Sequence, residues 1–398
     1  MKKLILGLAA VAVMGLVAAP AMAATEWNFG ASLRYSTFWT EADFGKNHIT
    51  GVPNGGDLEG GGKGLKSDGE LSWGVQSNSR IKMFMKSDSL QGFVEFGYNV
   101  DGGVTAREYW GKYNFGQGWY IQIGQSHQLF NIPGWSNQVW GGLNNNRHTG
   151  GDLNMVGLGV SFRPPTPKII LGYGGFAFAL AKPETVNDIA LTNSDKDTYL
   201  PQLQASYDYK ADTWNFKLAG AFQTYAINDI VGTKDRNINS WLIDAKAKVF
   251  FGPLFIGGTA SVGQNWANAN WGNAGSIASK YFQGKDGNFA NAGYWMDGDK
   301  VKNTTSWMAA IIAGYRLTEA LKFEAGAGYR YDDNKMWRDS SSIFNVYLNA
   351  SYTVAPGFSI TPEIGYIDLG KQIVGKGQPK GKDAGYLWYA GAKWQMDF

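Results

Sequence analysis

Cysteine is absent from this 398-residue chain, so neither a disulfide framework nor a thiolate metal site can hold it together. Histidine occurs only at His48, His127 and His148. They form no i, i+4 pair, and no Gly-x-Ser-x-Gly elbow accompanies them, so the usual parts of a zinc site or a serine hydrolase are missing. No enzyme activity, metal or cofactor is expected. Gly60-Gly61-Gly62-Lys63-Gly64 has loop composition; without a strand-to-helix context it is no phosphate cradle. Long apolar runs are lacking as well. Beyond the N-terminus no stretch approaches the ~20 residues a spanning helix needs, and mean hydropathy is −0.26. Charge is nearly balanced at a formal +3, with Lys2 and Lys3 supplying two of the positive charges. That leaves no clustered basic face for a nucleic-acid partner.

What is present begins with a targeting segment. Lys2 and Lys3, the apolar run Leu4 to Ala19 and the small-x-small Ala21-Met22-Ala23 predict a signal peptide over residues 1–23. The chain is then exported, and residues 24–398 form one domain. Aromatics make up 15% and glycines number 54. Mild hydrophilicity with that much aromatic content fits strands that are greasy on one face and polar on the other.

The alternation is explicit. Trp27, Phe29, Ala31, Leu33 and Tyr35 oppose Asn28, Ser32, Arg34 and Ser36. A second strand is expected over about Glu70 to Lys86, with Leu71, Trp73, Val75, Ile81, Met83 and Met85 outward. Later, Trp241, Ile243, Ala245, Ala247 and Val249 oppose Asp244, Lys246 and Lys248, and Phe323, Ala325, Ala327, Tyr329 and Tyr331 oppose Glu324 and Arg330. Tight turns are predicted at Ser87-Asp88-Ser89, Gly116-Gln117, Pro164-Pro165-Thr166-Pro167, Lys210-Ala211-Asp212, Gly252-Pro253, Thr318-Glu319 and Ala355-Pro356-Gly357. Longer polar loops alternate with them, among them 41–69, 126–151 and 268–303. The count gives sixteen strands, with short turns on one side and long loops on the other. The expected fold is all-β: a closed 16-stranded antiparallel transmembrane β-barrel, since lipid offers no partner to an open edge. Ile169 to Leu180 reads as apolar on both faces, so it is left without an orientation and is a candidate for packing between subunits.

The chain ends on an alternating strand, with Tyr386, Trp388, Ala390, Ala392, Trp394, Met396 and Phe398 in one row and Gly391, Lys393, Gln395 and Asp397 in the other. A terminal Phe closing such a strand resembles the sorting signal of bacterial outer-membrane proteins, which implies Trp394, Met396 and Phe398 as the part met by the barrel-assembly machinery. With leader, strand count and terminus together, the layout resembles the trimeric porins of Gram-negative outer membranes, and its proportions are closest to the homotrimeric porins of sulphate-reducing and related bacteria. The resemblance implies a homotrimer in a bilayer with lipopolysaccharide, passing ions and small hydrophilic solutes. It also implies a third loop folded into the bore to narrow it.

Counting makes Ser126 to Gly151 that third loop. It carries His127, Asn131, Trp135, Asn137, Trp140, Asn145, Arg147 and His148, and no carboxylate before Asp152. Porins of the family load this loop with Asp and Glu, so the departure leaves ion preference open. On the wall, Arg34, Arg80, Lys82 and Lys112, with Glu95 and Glu108 among them, are expected to face the bore. Such a ladder sets a transverse field favouring anions; the plainer reading is that these charges are solvated and paired. Trp135 and Trp140 beside successive asparagines suit sugar rings; the plainer reading makes them wedges against the wall. A substrate-selective sugar channel is therefore one alternative. A surface adhesin or phage receptor on a barrel stalk is another.

Overall fold

The computed structural model describes residues 25–43, 69–98, 103–132, 134–141, 151–161, 164–185, 196–228, 235–271, 293–371, 373, 375–377, 380, 383 and 385–398. The expected leader, His48, Asn145, Arg147 and His148 lie outside them.

Alternating residues make sixteen antiparallel strands. They are β1 (Glu26–Asp43), β2 in two segments (Glu70–Val75 and Arg80–Lys86), β3 (Leu90–Tyr98), β4 (Val104–Gly116) and β5 (Trp119–Ser126). Next come β6 (Thr166–Tyr173), β7 (Phe176–Ala181), β8 (Lys196–Asp197 and Gln202–Lys210), β9 (Trp214–Ile227), β10 (Arg236–Phe251) and β11 (Leu254–Gln264). The last are β12 (Thr304–Arg316), β13 (Leu321–Asn334), β14 (Ser341–Ala355), β15 (Phe358–Asp368) and β16 (Tyr386–Asp397). Each pairs with its neighbours in order, and β16 returns to β1 over Ser32↔Asp397 to Asp43↔Tyr386. Reciprocal backbone hydrogen bonds between Phe398 and Ala31 seal the seam at the turn side. The ring is closed, so no edge strand is left for lipid to face.

The two faces separate as the alternation requires. Ile243 is 50% exposed and Asp244, its neighbour on β10, is fully buried. The outer wall is apolar, and aromatic pairs gather near its margins: Trp119 with Tyr173 and Tyr209 with Trp214 toward the turns, Tyr366 with Trp388 toward the loops. Such girdles mark the two interfaces of a membrane barrel. Among the described residues no helix is long and apolar enough to cross a membrane; the crossing is made by strands.

Three local expectations are corrected. Among the described residues 151–161 there is no strand; they run inside the barrel as the return limb of the third loop. The third tight turn is Gly174-Gly175 rather than the proline cluster, so Ile169 to Leu180 is a hairpin and not one strand. That explains its apparent two-sided greasiness. Ile169, Leu171 and Tyr173 face outward on odd positions; Phe176 and Phe178 do so on even ones, because a two-residue turn reverses parity. Gly174 has φ +54, and a Cβ on Gly175 would sit 2.2 Å from the Asp208 carbonyl oxygen, so the turn favours glycine at both positions. Finally, β2 is broken at Gln76–Ser79, where the Ser79 hydroxyl takes the Arg34 N–H (2.9 Å) that the ladder would otherwise bond.

Candidate functional site

The third loop leaves β5 at His127 and crosses the lumen to the opposite wall. It carries few charges of its own, so its backbone is held by charged side chains projecting inward from the strands. Lys168 on β6 donates to the His127 carbonyl (2.8 Å), Lys246 on β10 to that of Phe130 (2.6 Å) and Lys248 to that of Trp135 (2.9 Å). Carboxylates take the amides. Glu324 on β13 accepts the N–H of Asn137 (2.5 Å), and Glu363 on β15 accepts those of Val139 (2.7 Å) and Trp140 (3.0 Å). Asn349 on β14 donates to the Asn137 carbonyl (2.7 Å) and to Glu363 (2.9 Å). Charge-assisted hydrogen bonds of this kind are about twice as strong as neutral ones. From His127 to Trp140 the loop therefore needs no carboxylate of its own: the wall supplies them.

Apolar packing completes the seat. Trp140 stacks on Tyr389 of β16 at 4.3 Å and 6° between ring planes, an arrangement worth roughly 0.5–1.5 kcal/mol beyond area burial. Around it lie Phe38, Val139, Leu153, Leu158, Ile343 and Leu387. Trp135 packs with Met155, Ile312 and Tyr347. Both indoles are buried, so neither offers a flat face to a sugar; they wedge the loop in place. On the return limb Asp152 meets Arg34 (3.4 Å) and Lys393 (3.1 Å), and Ser161 donates to Asp244 (2.6 Å). A Cβ at Gly328 would lie 1.8 Å from the Leu158 carbonyl oxygen; the loop backbone presses against β13 there.

The wall from β1 to β5 is different. Arg80 pairs with Glu95 (3.2 Å), and so does Arg107 (2.8 Å). Glu108 faces His127 (3.5 Å). Lys82 is exposed, and Lys112 lies over the Tyr120 ring, 3.9 Å from its centroid. All six expected wall charges face inward. Arg107 was not among them. A bulge in the β3–β4 ladder between Glu95 and Phe96 turns both Arg107 and Glu108 to one side. The only hint in the sequence is that two adjacent charges cannot share a face in a regular strand. Of the expected loop residues, His127, Trp135, Asn137 and Trp140 make the contacts above. Asn131 donates its backbone N–H to the Gln128 carbonyl (2.9 Å), and its side-chain oxygen has no partner among the described residues. At the terminus, Trp394 and Met396 are outward and exposed, and the Trp394 indole donates to Thr37 (3.1 Å).

A closed barrel with a lipid-facing exterior and a polar, loop-lined interior is an outer-membrane channel. The chain belongs to the porin subfamily, whose family model matches residues 172–386. It lies in the outer membrane, and the family points to a channel rather than an enzyme. The fold is similar to the outer-membrane channel DcaP of Acinetobacter baumannii, with a TM-score of 0.61 at 14% identity over 96% of this chain and all of that one. It is also similar to an anion-selective porin from Comamonas acidovorans, with a TM-score of 0.54 at 13% identity over 94% of this chain and all of that one. The trimer form of OmpT from Vibrio cholerae gives 0.52 at 14%, again over 94% and 100%. No curated protein sequence matches the chain.

Proposed function

We propose that this porin is a passive channel for ions and small hydrophilic solutes, narrowed by its third loop, with a weak preference for anions. One observation carries the preference. On the open wall Arg80, Lys82, Arg107 and Lys112 stand against two carboxylates, Glu95 and Glu108; Glu95 is shared by two guanidiniums and, among the described residues, neither Lys82 nor Lys112 has a carboxylate within ion-pair distance. That wall carries a surplus of positive charge, which favours anions entering a narrow aqueous passage. Potassium chloride gradients across bilayers holding the purified protein test this. A reversal potential of the sign set by chloride is expected; one set by potassium removes the preference.

The assembly proposed is a homotrimer, exported after loss of residues 1–23, with lipopolysaccharide around the loop side and the assembly machinery meeting β16. An open apolar hollow on the outer face of β5–β9, lined by Trp119, Leu171, Tyr173, Phe176, Phe178 and Tyr207, supports a wall that receives another subunit.

A further inference from the structure

The register of β2–β4 lines up three large aromatics across the inner wall. Phe84 stands opposite Phe93, and Phe93 opposite Trp110. They face the lumen, because Phe84 shares its parity with Arg80, Phe93 with Glu95 and Trp110 with Glu108. The Phe93 and Trp110 rings are 5.6 Å apart, inclined by 34°. Gly124 continues the row on β5, opposite Trp110, with φ +127, and a Cβ there would lie 2.9 Å from that of Trp110. Bare backbone thus flanks the indole. Each of the three rings is only half-buried. In a membrane barrel the bore is ordinarily the polar face, and apolar rings left wet have surface to gain by covering.

The row's two flanks differ in charge. One step toward the loops lie Lys82, Glu95 and Glu108; one step toward the turns lies Lys86 and, across Gln91, Lys112, with no carboxylate on β3 or β4 in that register. Glu26 stands opposite Lys86 and offsets it. Lys112 instead has Gln91 and Gln122 as its cross-strand neighbours. Two residues along a strand span about 7 Å, a separation a flexible lysine can close.

We propose that Phe84, Phe93 and Trp110 form a binding platform for aromatic carboxylates, with the solute ring on the row and its carboxylate on Lys112. The proposal rests on the channel reading and adds a substrate class to it. Weak, exposed binding suits a passage: the solute is held long enough to be selected and released on either side.

The test is block of chloride current through the full-length protein in planar bilayers, with benzoate and acetate as probes of equal charge. Benzoate is expected to block saturably at concentrations where acetate does not. Trp110→Leu is expected to weaken the benzoate block roughly three- to tenfold, the loss of about one ring contact. Lys112→Gln is expected to weaken it as well, with chloride conductance reduced yet still measurable. Equal block by the two probes, with chloride conductance intact, overturns the platform alone; absence of chloride conductance overturns the channel with it. Should Trp110→Leu fail to insert, Phe93→Leu carries the same expectation. An unchanged benzoate block in either inserting variant overturns the platform.

Discussion

The inner wall of this barrel has two halves that use the same charged residue types to opposite ends. From β10 to β16 Glu324, Glu363, Lys246 and Lys248 each bond to a backbone group of the third loop, while Lys393 meets Asp152 of its return limb and Arg330 pairs with Asp332. From β1 to β5 the charges pair with one another or meet water, as Arg80, Arg107 and Glu95 do on one side and Lys82 on the other. The first half is a dry seat, the second a wet wall. What separates them is which half the loop lies on. A carboxylate taken out of water is stable only when its acceptor sites are filled, and backbone amides fill them without adding charge to the bore.

That contrast predicts unequal consequences for single substitutions. The largest belongs to Glu363, which accepts from Val139, Trp140 and Asn349 at once. Glu363→Ala leaves two buried amides without partners, at about 1–3 kcal/mol each, and releases the middle of the loop. Larger and noisier single-channel currents are expected, together with a lower temperature of subunit dissociation on gels. Wild-type conductance in an inserted Glu363→Ala protein would mean that the seat is held by its apolar contacts alone. Next comes Arg107→Gln on the wet wall. Arg80 still satisfies Glu95, so the barrel stands, but the wall around Glu95 and Glu108 loses one of its two guanidinium charges. Chloride-over-potassium permeability is expected to fall by roughly twofold, a modest change because water in the bore weakens each charge. Stability should move little, and a shifted melting point without a shifted reversal potential would reverse the assignment.

Much of this was legible beforehand. Strand parity placed Asp244, Lys246, Lys248, Glu324 and Arg330 on the polar face, and the alternation of loops and turns gave the strand count, because period-two patterning is imposed directly by lipid on one side and water on the other. Legibility failed where local chemistry overrides the period. The Gly174-Gly175 turn reverses parity within one apolar run, and only the pairing of Tyr173 with Phe176 reveals it. Arg107 is turned by a bulge. The seat itself depends on contacts between residues far apart in sequence, Trp140 on Tyr389 among them, and no spacing rule encodes those. The lack of a carboxylate before Asp152 in the third loop was a departure in the sequence; in the structure it is half of an arrangement whose other half is Glu324 and Glu363.

The smallest effect expected sharpens the comparison most. Lys82 faces the same wet wall as Arg107 but is exposed, with no carboxylate partner among the described residues. Two unit charges 4 Å apart in water interact by about 1 kcal/mol, and at 0.1 M salt the field fades over about 10 Å. Lys82→Gln should therefore shift the reversal potential less than Arg107→Gln, and the shift should shrink toward zero near 1 M salt, where screening acts over about 3 Å. Arg107, half-buried against Glu95, is less open to counterions, so its effect should persist at high salt. If Lys82→Gln matched Arg107→Gln, or held its effect at 1 M, the distinction between a charge fixed to the wall and one dissolved in the bore would fail, and the anion preference would have to come from net charge alone.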